Sequence, residues 1–384
     1  MSDPGIAALG TWSGGRFIHF GEAIAEERLV SLLRPDQRIN TVLSADVYGE
    51  GEADRILARA LEGSRREEVC VIEAVGHDFY RGQRNGPKGF PRFTDRSLRG
   101  PADYASYLRM ATEASIERCR INHFDVLLLH NPDRTGYTSE AVWQAMATLR
   151  DAGLTRMIGV APGPANGFTL DLIGCFERFG AMIDWAMLIL NPLEPWPAEL
   201  ALAAATQADV RVIARVVDYG GLFHDDIRAG HQFRTGDHRA FRPRGWVEAG
   251  LEQIDAMRPI AERNGLTLLQ LACQWDLAHR AVSCVAPTLI QEAGAQTRPI
   301  EDERAELAAL SATAPLSSAD VALIRALGDN RGCMALKGAT PEHDGAELPD
   351  RWALDEEQWA LAARWQIDPD VDLRAHQVAA RSGP

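Results

Sequence analysis

Five polar side chains, Tyr48, His77, His130, Asn191 and Asp218, each follow directly on or close a short apolar run. A phenol and an imidazole held together can give and take protons at a carbonyl or hydroxyl oxygen. A phenol titrates near about 10, so Tyr48 is an effective acid only where a cation or a hydrogen-bond donor stabilises the developing phenolate. His77 and the adjacent Asp78 offer a second pair, an imidazole beside a carboxylate. The segment 80–92 carries Arg81, Arg84, Lys88 and Arg92 in an otherwise acidic chain, a set suited to a carboxylate or phosphate on a substrate. Each has a plainer reading. His130 can be a satisfied core histidine and Tyr48 a wall residue, and the basic segment a solvated lid.

Such residues need elements to carry them. Apolar runs rich in β-branched residues recur at 38–43, 69–74, 126–130, 157–160, 186–190, 210–216 and 282–286, and one near 6–11 makes eight. Between them lie helical patterns at 53–61, 104–119, 140–151, 170–179, 197–208 and 247–264. The strand starts mostly recur about thirty residues apart, the size of a βαβ unit. The expected fold is therefore α/β, a (β/α)8 TIM barrel with long βα loops at 76–101 and 218–246. Residues 1–314 form the barrel and 315–384 a C-terminal helical extension packed on it. A barrel places its chemistry at the C-terminal ends of its strands, where all five polar residues fall. Side chains alternate along a strand, so Ala74 inward sends Glu73 outward, away from the mouth.

With 384 residues, 46% hydrophobic and 24% charged, the chain can bury a large core, which excludes a disordered or disulfide-stapled miniature protein. Forty basic against 54 acidic residues leave a net charge of -14, which repels nucleic acid and anionic lipid, so neither is an expected partner. Cys70, Cys119, Cys175, Cys273, Cys284 and Cys333 show no CxxC spacing and read as buried reduced thiols. No run of about eighteen apolar residues occurs. Residues 1–9 lack the basic, apolar and small-residue order of a signal peptide, so a cytoplasmic location is expected. His224, Asp225, Asp226, His231, Asp237 and His238 match no ligand spacing, and an Asp237–Arg239 ion pair is the simpler reading, so no metal is assigned. Nothing in the sequence sets an oligomeric state.

The stretch Ala45-Asp46-Val47-Tyr48-Gly49 before 50–61, with Phe124-Asp125-Val126-Leu127-Leu128-Leu129-His130, resembles the aldo-keto reductase family. In the same order follow 156–160, Leu190-Asn191, Arg215 with Gly220-Gly221-Leu222, Leu271-Ala272 and Val285-Ala286-Pro287. The resemblance covers roughly 9–310. It implies the barrel, hydride transfer between NADP(H) and a carbonyl, Tyr48 as general acid and His130 as the residue orienting the substrate. It also implies Thr11, Trp12, Asn191, Arg215, Gly221 and Leu222 at the cofactor, with Trp12 as an apolar wall shared with the substrate. The residues themselves add His77 to the acid–base set and Asp78, Arg84 and Lys88 to the substrate contacts.

The match has gaps with chemical meaning. The family's Asp and Lys that tune the Tyr fall on Leu43 and Ala74. Its Ser-Asn pair and Gln for the nicotinamide amide fall on Ala161, Pro162 and Met187. Asp218 stands where the pyrophosphate loop begins, and Thr288-Leu289-Ile290-Gln291 where a Gly and a cation meet the adenosine phosphate. The expected function is an oxidoreductase of that family acting on a small carbonyl or sugar-like substrate at an altered nicotinamide site. The alternatives are a non-redox lyase, dehydratase or isomerase on the same barrel, and a non-catalytic sensor or scaffold.

Overall fold

Eight strands, β1 (Ala8–Gly10), β2 (Thr41–Leu43), β3 (Cys70–Val75), β4 (Phe124–His130), β5 (Thr155–Ala161), β6 (Trp185–Ile189), β7 (Arg211–Arg215) and β8 (Val282–Ala286), pair parallel in chain order. A parallel bridge between Ala7 and Val285, with the Val285 N–H donating to the Ile6 carbonyl at 2.9 Å, brings β8 back to β1. The sheet is the (β/α)8 barrel that the eight apolar runs require. The computed structural model describes residues 3–86, 89–163, 165–294, 297–313, 315–330 and 335–374.

Strand alternation sorts the core into two layers. Leu43, Ile72, Ala74, Val126, Leu128, Trp185, Met187, Ile213 and Cys284 meet inside the barrel. Val42, Val71, Leu127, Leu129, Leu188 and Val212 face the surrounding helices. Leu43 and Ala74 thus point inward, where the related relay would hold charges, and each is apolar and buried. Glu73 is buried against the helices, beside Asp54 and Cys119, as the alternation required.

Helices Tyr104–Cys119 and Glu140–Asp151 lie where the 3.6-residue pattern put them, and Glu52–Leu61, Thr169–Phe179, Glu199–Gln207 and Trp246–Arg263 begin or end within two residues of it. Before residue 314 the barrel has four further α-helices among the described residues, Glu26–Leu33, Arg134–Thr138, Leu268–Leu277 and Ile300–Ala308. For Leu268–Leu277 the sequence does carry the start signal: Thr267 accepts from the Gln270 N–H while the Gln270 side chain accepts from the Thr267 N–H.

Beyond residue 314 the chain lies over the barrel's helices. Ser318–Leu327 packs on Trp246–Arg263, and Arg325 reaches both oxygens of Glu199 at 2.5 and 2.6 Å. Glu356–Arg364 packs on Thr169–Phe179, where the Trp352 indole and the Gln358 amide donate to one oxygen of Asp171 at 2.9 and 3.0 Å. Five cysteines are buried and free; Cys333 lies outside the described residues. Among the described residues no helix is long and apolar enough to cross a membrane.

Candidate active site

The C-terminal ends of β2, β3 and β4 bring three rings together. Beyond β2 the backbone keeps pairing, Ser44 N–H to the Ile72 carbonyl at 3.0 Å and Asp46 N–H to the Ala74 carbonyl at 3.2 Å, before it turns at Tyr48. The Tyr48 ring stacks on Phe17 at 6.3 Å and meets the edge of His130 at 5.9 Å; His130 in turn meets His77 at 5.1 Å. Burial raises the phenol pKa of Tyr48, the charge of Arg215 works against that rise and Glu73 adds to it. Tyr48 is therefore a protonated donor at neutral pH. Burial, then His77, Arg92 and Arg215, hold His130 well below the ordinary histidine range, and its Nδ1 is buried with no partner.

His77 is also neutral, its pKa lowered to about 3 by burial and by Arg92, against the pull of the Phe90 carbonyl. That carbonyl accepts from Nδ1 at 2.9 Å, which leaves Nε2 to accept from the Asn131 amide at 3.0 Å. Both nitrogens are engaged, so the geometry gives His77 the place of a buttress behind His130. Two consequences are measurable. Turnover at this site should show no inflection near the usual imidazole value between about pH 5.5 and 8.5, because neither ring titrates there. A histidine depressed in the folded state binds its proton more readily when unfolded. Its contribution is complete above about 6.5 and is lost as pH falls toward 3. Relative to His77→Gln, wild-type unfolding free energy should drop by up to about 1.4 kcal/mol per pH unit in that window, read by urea titration. A constant difference would show that His77 is hydrated.

The 76–101 loop doubles back on itself: Asp78 N–H donates to the Pro91 carbonyl at 2.8 Å and Phe93 N–H to the Gly76 carbonyl at 2.9 Å. Asp78 is its anchor, accepting from the Tyr80 and Arg81 N–H groups at 3.1 and 2.9 Å and pairing with Arg99. Its oxygens are thereby committed to the loop and not brought to the rings. Arg84 is exposed, 5.9 Å from the Phe90 ring, and touches none of Tyr48, His77 or His130. Lys88 lies outside the described residues. Among the described residues, the loop cation that reaches the site is Arg92, whose Nε donates to the Asn131 carbonyl at 2.5 Å and whose backbone bridges to His77. A second cation, Arg215, sits two residues after the inward Ile213 and donates to the Gly163 and Pro162 carbonyls at 2.6 and 3.3 Å. Cationic charge absent at Ala74 is thus supplied from β7 and from the loop, while the carboxylate absent at Leu43 is not replaced by either. For Arg215 the inward alternation of β7 was a legible signal; for Arg92 the signal is the 77–92 pairing, which no local pattern reveals.

The remaining cofactor candidates are turned to the protein itself. Asn191 Oδ1 accepts from the Leu193 and Glu194 N–H groups at 2.9 and 2.8 Å, and its amide donates to Glu194 and the Val216 carbonyl, both at 3.0 Å. Thr11 donates to Ser44 at 3.2 Å, and Trp12 packs at the top of the barrel interior. Leu222 is buried, and the Gly221 N–H goes to Asp218 Oδ2 at 3.0 Å. Asp218 Oδ1 takes the Thr288 N–H at 2.7 Å. Glu303 takes Ile290 N–H at 2.8 Å and Asp237 takes Gly21 N–H at 2.9 Å. A dinucleotide needs free N–H groups and cations for its phosphate oxygens. Here buried carboxylates hold those N–H groups, and Ala161 and Met187 offer a nicotinamide amide no partner. The residues present do not fit NADP(H).

Arg239 closes this region, buried between Asp237 and Glu292 and donating to the Gly220 carbonyl at 3.1 Å. Burial disfavours its charge, yet the hydrogen bonds it donates to Asp237 and Glu292 hold its pKa above the ordinary value. Arg239→Ala should lower stability by about 3 to 5 kcal/mol, since two buried carboxylates lose their counter-ion. Urea unfolding checks this, and a loss below about 1 kcal/mol would mean that the loops are wet. The Asp237–Arg239 ion pair expected from the sequence is thus part of a triad. Among the described residues, Asp54, Glu73 and Cys119 could offer a metal three ligand atoms within 4.8 Å. Asp54 already accepts from Ser115 and Arg118, each at 2.8 Å, and burial raises the pKa of both Asp54 and Glu73, so the group lies on the barrel's outer face as a buried polar cluster.

Comparison with known proteins adds an independent line. The family model described as "Aldo/keto reductase family" matches residues 8–327. A probable voltage-gated potassium channel subunit beta of Arabidopsis thaliana is 25% identical over 312 residues, 75% of this chain and 86% of the relative. The aldo-keto reductase YhdN of Bacillus subtilis (strain 168) is 24% identical over 290 residues, 72% and 80% of the two chains. Among solved structures, the glycerol dehydrogenase AKR11B4 from Gluconobacter oxydans superposes with a TM-score of 0.64 at 20% identity, covering 84% of this chain and 90% of its own. The aldo-keto reductase AKR11C1 from Bacillus halodurans, holo form, gives 0.60 at 20% identity, covering 84% and 92%. At such identity the superpositions speak for the fold.

Proposed function

The chain belongs to the aldo/keto reductase family, and from that premise we propose that it acts on a small carbonyl or sugar-like substrate, Tyr48 giving the proton to the substrate oxygen and His130 orienting it. One observation carries the reading: the neutral Tyr48 and His130 rings meet edge to face at 5.9 Å at the mouth of the barrel, with Arg215 acting on both. The phenol gives up its proton as charge develops on the carbonyl oxygen. Arg215 then stabilises the phenolate, the part that a cation must play for a phenol to act as an acid. Trp12 supplies an apolar wall, and His77 and Arg92 hold His130 in place from behind.

Family membership supports an oxidoreductase, and neighbours solved with NADP suggest the nucleotide for that reaction. Hydride delivery, however, needs a nucleotide that the loops after β7 and β8 do not fit. That observation supports a second reading, a non-redox isomerisation, dehydration or lyase cleavage driven by the same acid. A panel of small aldehydes, ketones, aldoses and sugar acids, followed by NMR with and without NADPH, separates the two. Product that requires NADPH supports the oxidoreductase; product without nucleotide overturns it in favour of the non-redox class. The buried free thiols suit a reducing compartment, and we place the protein in the cytoplasm, to be checked by localising a tagged copy.

A further inference from the structure

On the outer face of the barrel, between β2, β3 and the helices Glu52–Leu61 and Tyr104–Cys119, three carboxyls and a thiol share one enclosed region with the Arg118 guanidinium. Asp46, Asp54 and Glu73 are completely buried and Cys119 is 1% exposed. Local rules bring them there. Leu43 and Ala45 face the barrel interior, so Ser44 and Asp46 face outward, on the same side as Glu73 of the neighbouring β3. Asp54 stands in the first turn of one helix and Cys119 closes the other. One ligand atom from each of Asp54, Glu73 and Cys119 lies within 4.8 Å of the other two, and the charges of Asp54 and Asp46 both bear on Glu73.

Each carboxyl of that group is held through one oxygen and leaves the other to spare. Asp54 Oδ2 accepts from the Ser115 hydroxyl and from Arg118 Nε, both at 2.8 Å, while Oδ1 has the Ser44 hydroxyl at 3.5 Å. Glu73 Oε1 accepts from the Ala74 N–H at 3.0 Å, and its Oε2 has no partner among the described residues. Asp46 stands apart from the triad in having no partner for either oxygen. Buried polar atoms almost always have partners, so Asp46 and Glu73 Oε2 call for a guest. A ligand carboxylate fixed by hydrogen bonds through its second oxygen is the outer support that metal sites use. The donor set selects the ion: calcium and magnesium take oxygen alone, whereas a thiolate with carboxylates in a set of four suits zinc. Zinc bonds sulfur at about 2.3 Å and carboxylate oxygen at about 2.1 Å, so two such atoms stand up to about 4.4 Å apart across it. Small side-chain rotations close the observed set on one ion.

We propose that this cluster is a structural zinc site, with Asp54, Glu73 and Cys119 as ligands and Asp46 as the fourth. The ion ties the two helices to the strands that lead to Tyr48 and His77, and it takes no part in the reaction. Binding releases the thiol proton to solvent, so affinity falls as pH falls. The proposal is independent of the reading of Tyr48.

Elemental analysis of the full chain, purified without chelator from zinc-supplemented cells, should give about one zinc per chain. Protein from cobalt-supplemented cells should show a thiolate-to-cobalt charge-transfer band. Cys119→Ser should abolish that band, and Glu73→Gln, which keeps the side-chain volume, should bring the metal to background. Stripping with a chelator should lower the melting temperature of wild type and leave that of Glu73→Gln unchanged. Background metal in wild type, cobalt bound without the sulfur band, or a Cys119→Ser variant with the band intact overturns the site and leaves protons to neutralise the cluster. Wild-type metal content and the cobalt spectrum decide the matter even where a variant fails to fold.

Discussion

Titrated with NADPH or NADH, the purified protein is expected to show no saturable quenching or thermal shift up to about millimolar nucleotide, an affinity worth at most about 4 kcal/mol. The argument is one of donors already taken. Asp218 is completely buried and bonds the N–H groups of Gly221 and Thr288, one from each of the loops that follow β7 and β8. Glu303 and Asp237 do the same for Ile290 and Gly21, and Arg239 already serves two carboxylates. A pyrophosphate entering there would meet negative charge at contact distance, and even at an effective dielectric of about 20 that costs about 4 kcal/mol for each close pair. Its own donors would have to be stripped from buried carboxylates first. Micromolar binding would show that these loops open, and would return the chain to the hydride chemistry of its family.

The second expected result concerns Tyr48→Phe. Removing a positioned general acid lowers turnover by about a hundredfold to ten-thousandfold. Here the loss should come with no change in the urea midpoint, because the Tyr48 hydroxyl has no hydrogen-bond partner among the described residues and the ring keeps its contacts with Phe17 and His130. Turnover of the substrate identified in the NMR panel should therefore fall in kcat, with KM little changed. A variant that keeps its rate would remove the phenol from the reaction, and one that loses its fold would show the ring to be core packing.

Much of this architecture is legible in the chain. The eight apolar runs and the helical patterns between them place every barrel strand, and alternation along β3 puts Ala74 inside and Glu73 outside. The motifs around Tyr48 and His130 lead to two rings that do meet. The loop cations are less legible: Arg84 is suited to a substrate by its sequence setting yet is exposed, whereas Arg92 is drawn in because residues 77 and 92 pair across the loop. Asp78 looked like a partner for His77 and instead anchors to Arg99.

The division has a physical cause. Strand and helix depend on neighbours a few residues away, so hydrophobic periodicity determined the barrel and the strand ends at which Tyr48 and His130 stand, while the inward places of Leu43 and Ala74 followed from the family resemblance. Partnership between polar groups depends on atoms far apart in the chain. Asp218 reaches Thr288 across 70 residues and Asp237 reaches Gly21 across 216. Only the closed barrel decides that these carboxylates take the amides a nucleotide would need, and that Asp54, Glu73 and Cys119 converge from two helices and a strand.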